Sequence, residues 1–286
     1  MATALELTRE STSTFVDLPT MRIHYHDAGS GPVLLMLHGG GPGASGWSNF
    51  RQNLPVLTPH FRVLLVDQPG FGLSEKPAHD TPQHELTAKV LLELIDELGI
   101  DQVTPVGNSM GGAASLEFAL NNPSRVDKLI LMAPAGGSLP VTSEYPTHAG
   151  TVLTSFYSGP GASLERTKQL VDALTFDGDA VPEELIRERY EAAIEPGAMA
   201  YNARMFKNWP TMGPQHWKRI GELSHETLLI WGREDRVLTL DSSLHMLHQM
   251  RNARLHVIPN CGHWCQLEAR HEFEQQILTF MRDRLE

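Results

Sequence analysis

The segment Gly107–Asn108–Ser109–Met110–Gly111 has the pattern G-x-S-x-G. It follows the apolar run Val103–Val106 and opens a helical pattern. Glycines on both sides permit the sharp strand-to-helix turn that lifts a serine hydroxyl above a sheet edge. The helix start beneath it favours the negative charge that develops in acyl transfer. A dinucleotide-binding turn is the rival, because Gly107-x-Ser109-x-x-Gly112 is glycine-rich. It lacks the second glycine, which lets backbone approach a pyrophosphate, and is set aside. Upstream, His38–Gly39–Gly40–Gly41–Pro42–Gly43 follows the run Val33–Leu37. Successive glycines expose backbone N–H groups to an oxyanion. Gly40 and the N–H of Met110 are the expected donors, each worth roughly 3–4 kcal/mol of barrier. A phosphate loop would need G-K-[ST], and no lysine follows.

Acyl transfer by serine needs a base and an acid to orient it. Among 14 histidines, His263 stands out. It lies in Cys261–Gly262–His263–Trp264, past the last strand-like run and before the final helical pattern. His38 reads as structural, holding the glycine loop. Asp235 lies four residues beyond the run Thr227–Trp231, and Glu234 is the runner-up acid. Asp67 comes before the serine and reads as a turn former with Pro69–Gly70. The chain order Ser109, Asp235, His263 suits a triad on a parallel sheet. Cys261, His263 and Cys265 do not form an ordinary tetrahedral metal set, since no second ligand pair exists. No metal and no cofactor are expected.

These residues need strands that end at one edge. Arg22–His26 alternates and reads as an early strand. Val33–Leu37, Arg62–Val66, Val103–Val106, Lys128–Met132, Thr227–Trp231 and Arg254–Ile258 read as strands buried on both faces. Helical patterns cover about 84–98, 109–122, 240–250 and 267–284. Alternation of this kind predicts a mostly parallel α/β sheet with ligands bound at the strands' C-terminal ends, and the G-x-S-x-G elbow with the Ser–Asp–His order makes it the α/β-hydrolase fold. From about Gly136 to Gly221 helical patterns recur without a buried strand, with Pro182–Glu183–Glu184 opening one. A helical cap is therefore expected over 136–221, between core segments 1–135 and 222–286.

The bulk figures are compatible with one such domain. The chain has 286 residues, of which 41% are hydrophobic. Net charge is −11, which disfavours a nucleic-acid partner. Two cysteines, four residues apart, point to a reducing compartment rather than a disulfide. Met1–Glu10 has no apolar run, and no 18-residue apolar stretch exists, so a soluble cytoplasmic protein without membrane contact is expected. A carboxylate at the elbow, which a dehalogenase or epoxide hydrolase needs, is excluded by Ser109.

The narrower motifs resemble the meta-cleavage product hydrolases. They are His38–Gly43 with Gly46–Trp47–Ser48–Asn49, Gly107–Gly112, Trp231–Arg236 and Cys261–Trp264. The likeness is closest to the branch acting on biphenyl- and steroid-derived ring-fission products, and it is weakest in the cap. It implies hydrolysis of a carbon–carbon bond in a 2-hydroxy-6-oxohexa-2,4-dienoate, without a cofactor, by a homo-oligomer (dimer or higher). It also implies that Asn49, Asn108 and Trp264 line the polar end of the site, with Gly40 and Gly41 beside the substrate. Ser109 would be the covalent nucleophile, or would activate water. Arg189 matches the family's substrate arginine, with Arg187 the competitor; a guanidinium fork suits a carboxylate. Ser143–His148 departs from the family's more apolar, methionine-rich segment, which leaves tail size open. The alternatives are a carboxylesterase on the same triad and a non-enzymatic ligand receptor.

Overall fold

The computed structural model describes residues 7–138 and 146–285. The segment Ser143–Tyr145 therefore lies outside the described residues, as do the first six residues. Eight strands form one sheet: β1 (Ser13–Asp17), β2 (Arg22–Gly29), β3 (Val33–Leu37), β4 (Arg62–Val66), β5 (Thr104–Asn108), β6 (Leu129–Met132), β7 (Thr227–Gly232) and β8 (Ala253–Ile258). Their order is β1-β2-β4-β3-β5-β6-β7-β8. β1, β2 and β4 pair antiparallel, and every pairing from β4 to β8 is parallel.

Period-two alternation explains why the central runs are apolar throughout. Leu35 and Leu37 of β3 join one core with Leu64, Leu131 and Leu229. Leu34 and Met36 join a second core with Val63, Ile130 and Ile230. Each of these central strands thus buries both faces, which requires helices on both sides. Helices α1 (Gly46–Phe50), α2 (Gln83–Glu97) and α3 (Met110–Asn121) follow β3, β4 and β5. Leu86, Val90, Leu91 and Leu94 of α2 pack on the first core, spaced as an amphipathic helix demands.

Between β6 and β7 the described chain is helical. It holds α4 (His148–Thr154), α5 (Leu164–Leu174), α6 (Glu183–Ala193) and α7 (Pro196–Met212). A separate apolar cluster binds α4, α5 and α6 together through Ala149, Leu170, Leu174 and Ile186, and Trp264 joins it. The core then resumes with α8 (Asp241–Gln249) between β7 and β8.

Three features differ from the sequence reading: β8 is an edge strand of which only Ile258 is buried, not a strand covered on both faces as in that reading. The edge strand β1 is absent from it, because an edge strand with mostly exposed positions carries no buried run. The continuous helix expected over 267–284 is instead α9 (Cys265–Glu268), then α10 (Arg270–Phe280) and a terminal 3-10 turn. The break falls at Ala269, whose ψ of 44° leaves the helical region.

Several histidines hold the core in a neutral form. Burial pushes the pKa of His38 down to about 4, and His26 and His84 likewise to about 4. The unfolded chain binds protons at these groups from about 6.5 downward, while the folded chain resists until about 4. Stability is therefore full above about pH 6.5 and falls as pH drops through that window. We expect the thermal midpoint to decline steadily between pH 6.5 and 4. A flat profile across that range, measured by circular dichroism, would contradict this.

Candidate active site

Ser109 sits between β5 and α3 with φ 53° and ψ −111°, a positive φ that a non-glycine residue adopts only under strain. Hydrogen bonds fix the turn: Ser109 N–H donates to Met132 O at 2.9 Å, and Ser109 O accepts from Ala135 N–H at 2.9 Å. The flanking glycines are required by close approach. A Cβ on Gly107 would fall 2.5 Å from Gly111 O, and one on Gly111 would fall 2.2 Å from Leu37 O. The elbow and β3 are thus too close for any side chain.

His263 Nδ1 lies 2.7 Å from Asp235 Oδ2, and both side chains are buried. The other carboxylate oxygen of Asp235 accepts from Val237 N–H at 2.8 Å and Leu238 N–H at 3.0 Å. With Asp235 ionised, the proton shared with it sits on Nδ1. That leaves Nε2 as a lone pair, and Nε2 is buried with no partner among the described residues. Such a nitrogen is free to take a proton from a substrate or a nearby hydroxyl. Ser109, His263, Gly39, Gly40 and Gly41 line one pocket together. Glu234 faces elsewhere: it pairs with Arg233 at 2.6 Å and accepts from Cys261 N–H at 3.1 Å. Asp67 is enclosed by His24, Gly46 and Leu73, away from the triad residues.

The glycine loop is held by His38. Its Nε2 accepts from Gln68 N–H at 3.1 Å, so Nδ1 carries the proton and donates to Gly39 O at 2.8 Å. The N–H groups of Gly40 and Met110 donate to no other described residue. Met110 opens α3, where the first N–H groups lack intrahelical acceptors.

The polar pocket continues past Ser109 to Asn49, Asn108, Arg189 and Trp264. Arg189 is only 3% exposed, yet no hydrogen bond or ion pair reaches its guanidinium among the described residues. Burial pushes its pKa down to about 10. The guanidinium lies over the Trp264 ring, 4.6 Å from its centroid. A Cβ on Gly41 would meet Arg189 Nη2 at 2.8 Å, so the glycine loop leaves room for this arginine. Arg187 is different: it is exposed and pairs with Glu183 one turn away. The Asn108 amide donates to His263 O at 3.1 Å, tying the elbow to the histidine loop. Ser109 also borders a larger cavity of about 450 Å³, walled by Leu153, Phe206, Trp209, Trp217 and Val237. Its described lining carries no charged side chain.

The alpha/beta hydrolase fold family matches residues 32–270. A 2-hydroxy-6-oxo-6-phenylhexa-2,4-dienoate hydrolase of Comamonas testosteroni is 38% identical over 98% of this chain and 99% of its own length. The chain belongs to the meta-cleavage product hydrolase family. A second relative in that organism, a 2-hydroxy-6-oxononadienedioate/2-hydroxy-6-oxononatrienedioate hydrolase, is also 38% identical, over 96% of this chain and 98% of its own. Among solved structures, a meta-cleavage product hydrolase from Pseudomonas fluorescens IP01 superposes with a TM-score of 0.86 at 31% identity, covering 94% of this chain and 97% of that one. No described helix is long and apolar enough to cross a membrane.

One residue of this family member was not singled out in the sequence. Glu268 accepts from the N–H groups of Phe176 at 2.6 Å, Gly262 at 3.0 Å and Trp264 at 3.0 Å. Its carboxylate therefore clamps both sides of His263 and ties that loop to the end of α5. Burial pushes its pKa up despite those three donors. Glu268→Ala leaves the donors unpaired and is expected to cost about 2–4 kcal/mol of stability. Glu268→Gln keeps one acceptor oxygen and is expected to lose less. Urea denaturation of both variants checks this, and equal stability of wild type and alanine variant would refute the clamp.

Proposed function

We propose that the protein hydrolyses the C5–C6 bond of a 2-hydroxy-6-oxohexa-2,4-dienoate bearing an apolar tail. The observation that carries this reading is the buried, unpaired Arg189 at one end of a site whose other end is a large uncharged cavity. A buried cation without a protein partner is unfavourable unless an anion completes it. The dienoate carboxylate is such an anion, and the guanidinium binds both its oxygens. Ser109 stands between the two regions, where the C6 carbonyl would lie.

In this mechanism His263 Nε2 first takes the 2-hydroxyl proton and delivers a proton to C5, so the dienol becomes the ketone and Nε2 is again unprotonated. Ser109 Oγ then attacks C6 as His263 takes the serine proton. Gly40 and Met110 N–H groups hold the oxyanion. The C5–C6 bond breaks with its electron pair delocalised toward the 2-oxo group. Proton return yields 2-hydroxypenta-2,4-dienoate. Water, deprotonated by His263, attacks the acyl carbon and releases a carboxylic acid and free Ser109.

The substrates are conjugated and coloured, so turnover bleaches them. We expect faster bleaching of phenyl- or alkyl-tailed dienoates than of carboxylate-tailed ones, because nothing charged in the described cavity lining compensates a buried carboxylate. Arg189→Gln should lower kcat/KM for dienoates by about 10²–10³-fold, the scale of breaking a buried charge pair. Hydrolysis of p-nitrophenyl acetate, which lacks the carboxylate, should change little. Should no dienoate bleach while esters turn over readily, the protein is an esterase instead.

A further inference from the structure

A second constellation shares no residue with the pockets that Ser109 lines. His84 on α2, Glu117 on α3 and His216, in the 3-10 turn His216–Lys218, come together from three elements. One ligand atom from each lies within 4.8 Å of the other two. His216 Nε2 and Glu117 Oε2 are 2.8 Å apart, and the two imidazole rings meet edge to face at 5.0 Å. His84 and His216 are 8% and 4% exposed, and the Nδ1 of each is buried without a partner among the described residues. A Glu117–His216 pair alone leaves His84 Nδ1 unexplained, since buried polar atoms are normally satisfied.

The geometry points to a binding site for a divalent transition metal of the zinc class, held by His84, Glu117 and His216. Two imidazoles and one carboxylate are a ligand set that zinc accepts, with water in the fourth position. Tetrahedral arms of roughly 2.0–2.1 Å place neighbouring ligand atoms roughly 3.4 Å apart. The 2.8 Å separation of His216 Nε2 and Glu117 Oε2 and the 4.8 Å upper limit on the other spacings bracket that value. Arg219 is the nearby cation; its guanidinium is engaged by Glu222 and Asn121.

The placement gives such an ion a consequence. Trp217, next to His216, donates its backbone N–H to Gly136 O at 2.8 Å and lines the cavity beside Ser109. A metal would therefore fasten the segment returning from the helical insertion to α2 and α3, and so brace one wall of that cavity.

The test uses chelator-stripped full-length protein titrated with Zn²⁺ against a chromophoric competitor. One equivalent should bind and raise the thermal midpoint. His84→Gln and His216→Gln should each abolish both effects, while His263→Ala should retain them. Co²⁺ in the wild type supplies a readout independent of any variant's folding: the spectrum should lack a thiolate charge-transfer band. Absence of stoichiometric Zn²⁺ binding, binding retained in both glutamine variants, or a thiolate band placing the metal at Cys261 and Cys265 would each overturn the assignment.

Discussion

Ser109→Ala is expected to lower kcat for the preferred dienoate by about 10⁴–10⁶-fold, the range seen when the nucleophile of a cooperating triad is removed. Alanine keeps the Cβ and imposes no new demand on the elbow, whose φ of 53° is tolerated by the wild-type serine under the same steric limits. The backbone bonds from Ser109 N–H and to Ser109 O are unaffected. Fold, stability and the arginine pocket should thus survive, and so should substrate binding. The loss should fall on kcat, with little change in the dissociation constant obtained from the spectral shift of bound dienoate. Single-turnover absorbance measurements separate the two. A variant retaining more than about a tenth of wild-type kcat would mean that Ser109 forms no covalent bond and that another group activates water.

How far the sequence discloses this site depends on what holds each residue in place. Ser109 and Asp235 follow strands buried on both faces, which announce themselves as continuous apolar runs, whereas His263 follows the part-exposed edge strand β8, whose run is interrupted by Arg254 and His256. Their side chains are therefore placed by sheet topology, which the runs reveal. Arg189 is subtler. Leu185, Arg189 and Ala193 recur every fourth residue and share the buried stripe of α6, whereas Arg187 lies about 200° around the helix and meets solvent. The periodicity contains that distinction, but a charged residue on an apolar stripe is recognisable only once the stripe is traced. Glu268 is beyond reach because its partners are backbone N–H groups of a loop and of another element, which leave no trace in residue type. His84, Glu117 and His216 are likewise scattered, with no short spacing motif to connect them.

Asp235→Asn carries the second large effect, a fall in kcat of about 10⁴-fold. The direction follows from how Asp235 is held. Its Oδ1 accepts two backbone N–H groups, from Val237 and Leu238, so an asparagine must place its carbonyl oxygen there. The amide NH₂ then faces His263 Nδ1, where Asp235 Oδ2 now stands 2.7 Å away. A donor in that position forces Nδ1 to accept, and the histidine proton moves to Nε2. The ring atom aimed into the site becomes a donor and can no longer take the serine proton. The geometry survives while the tautomer is wrong, so stability should change little and kcat should collapse. Glu234→Gln provides the contrast: its carboxylate bonds Arg233 and the Cys261 N–H, and its loss should change kcat by no more than about two- to threefold, as for surface charges remote from the reacting atoms. Raising pH should partly restore Asp235→Asn, because hydroxide can replace the missing base. Equal damage from the two substitutions would show instead that the acid loop acts through its folding and not through the protonation of His263.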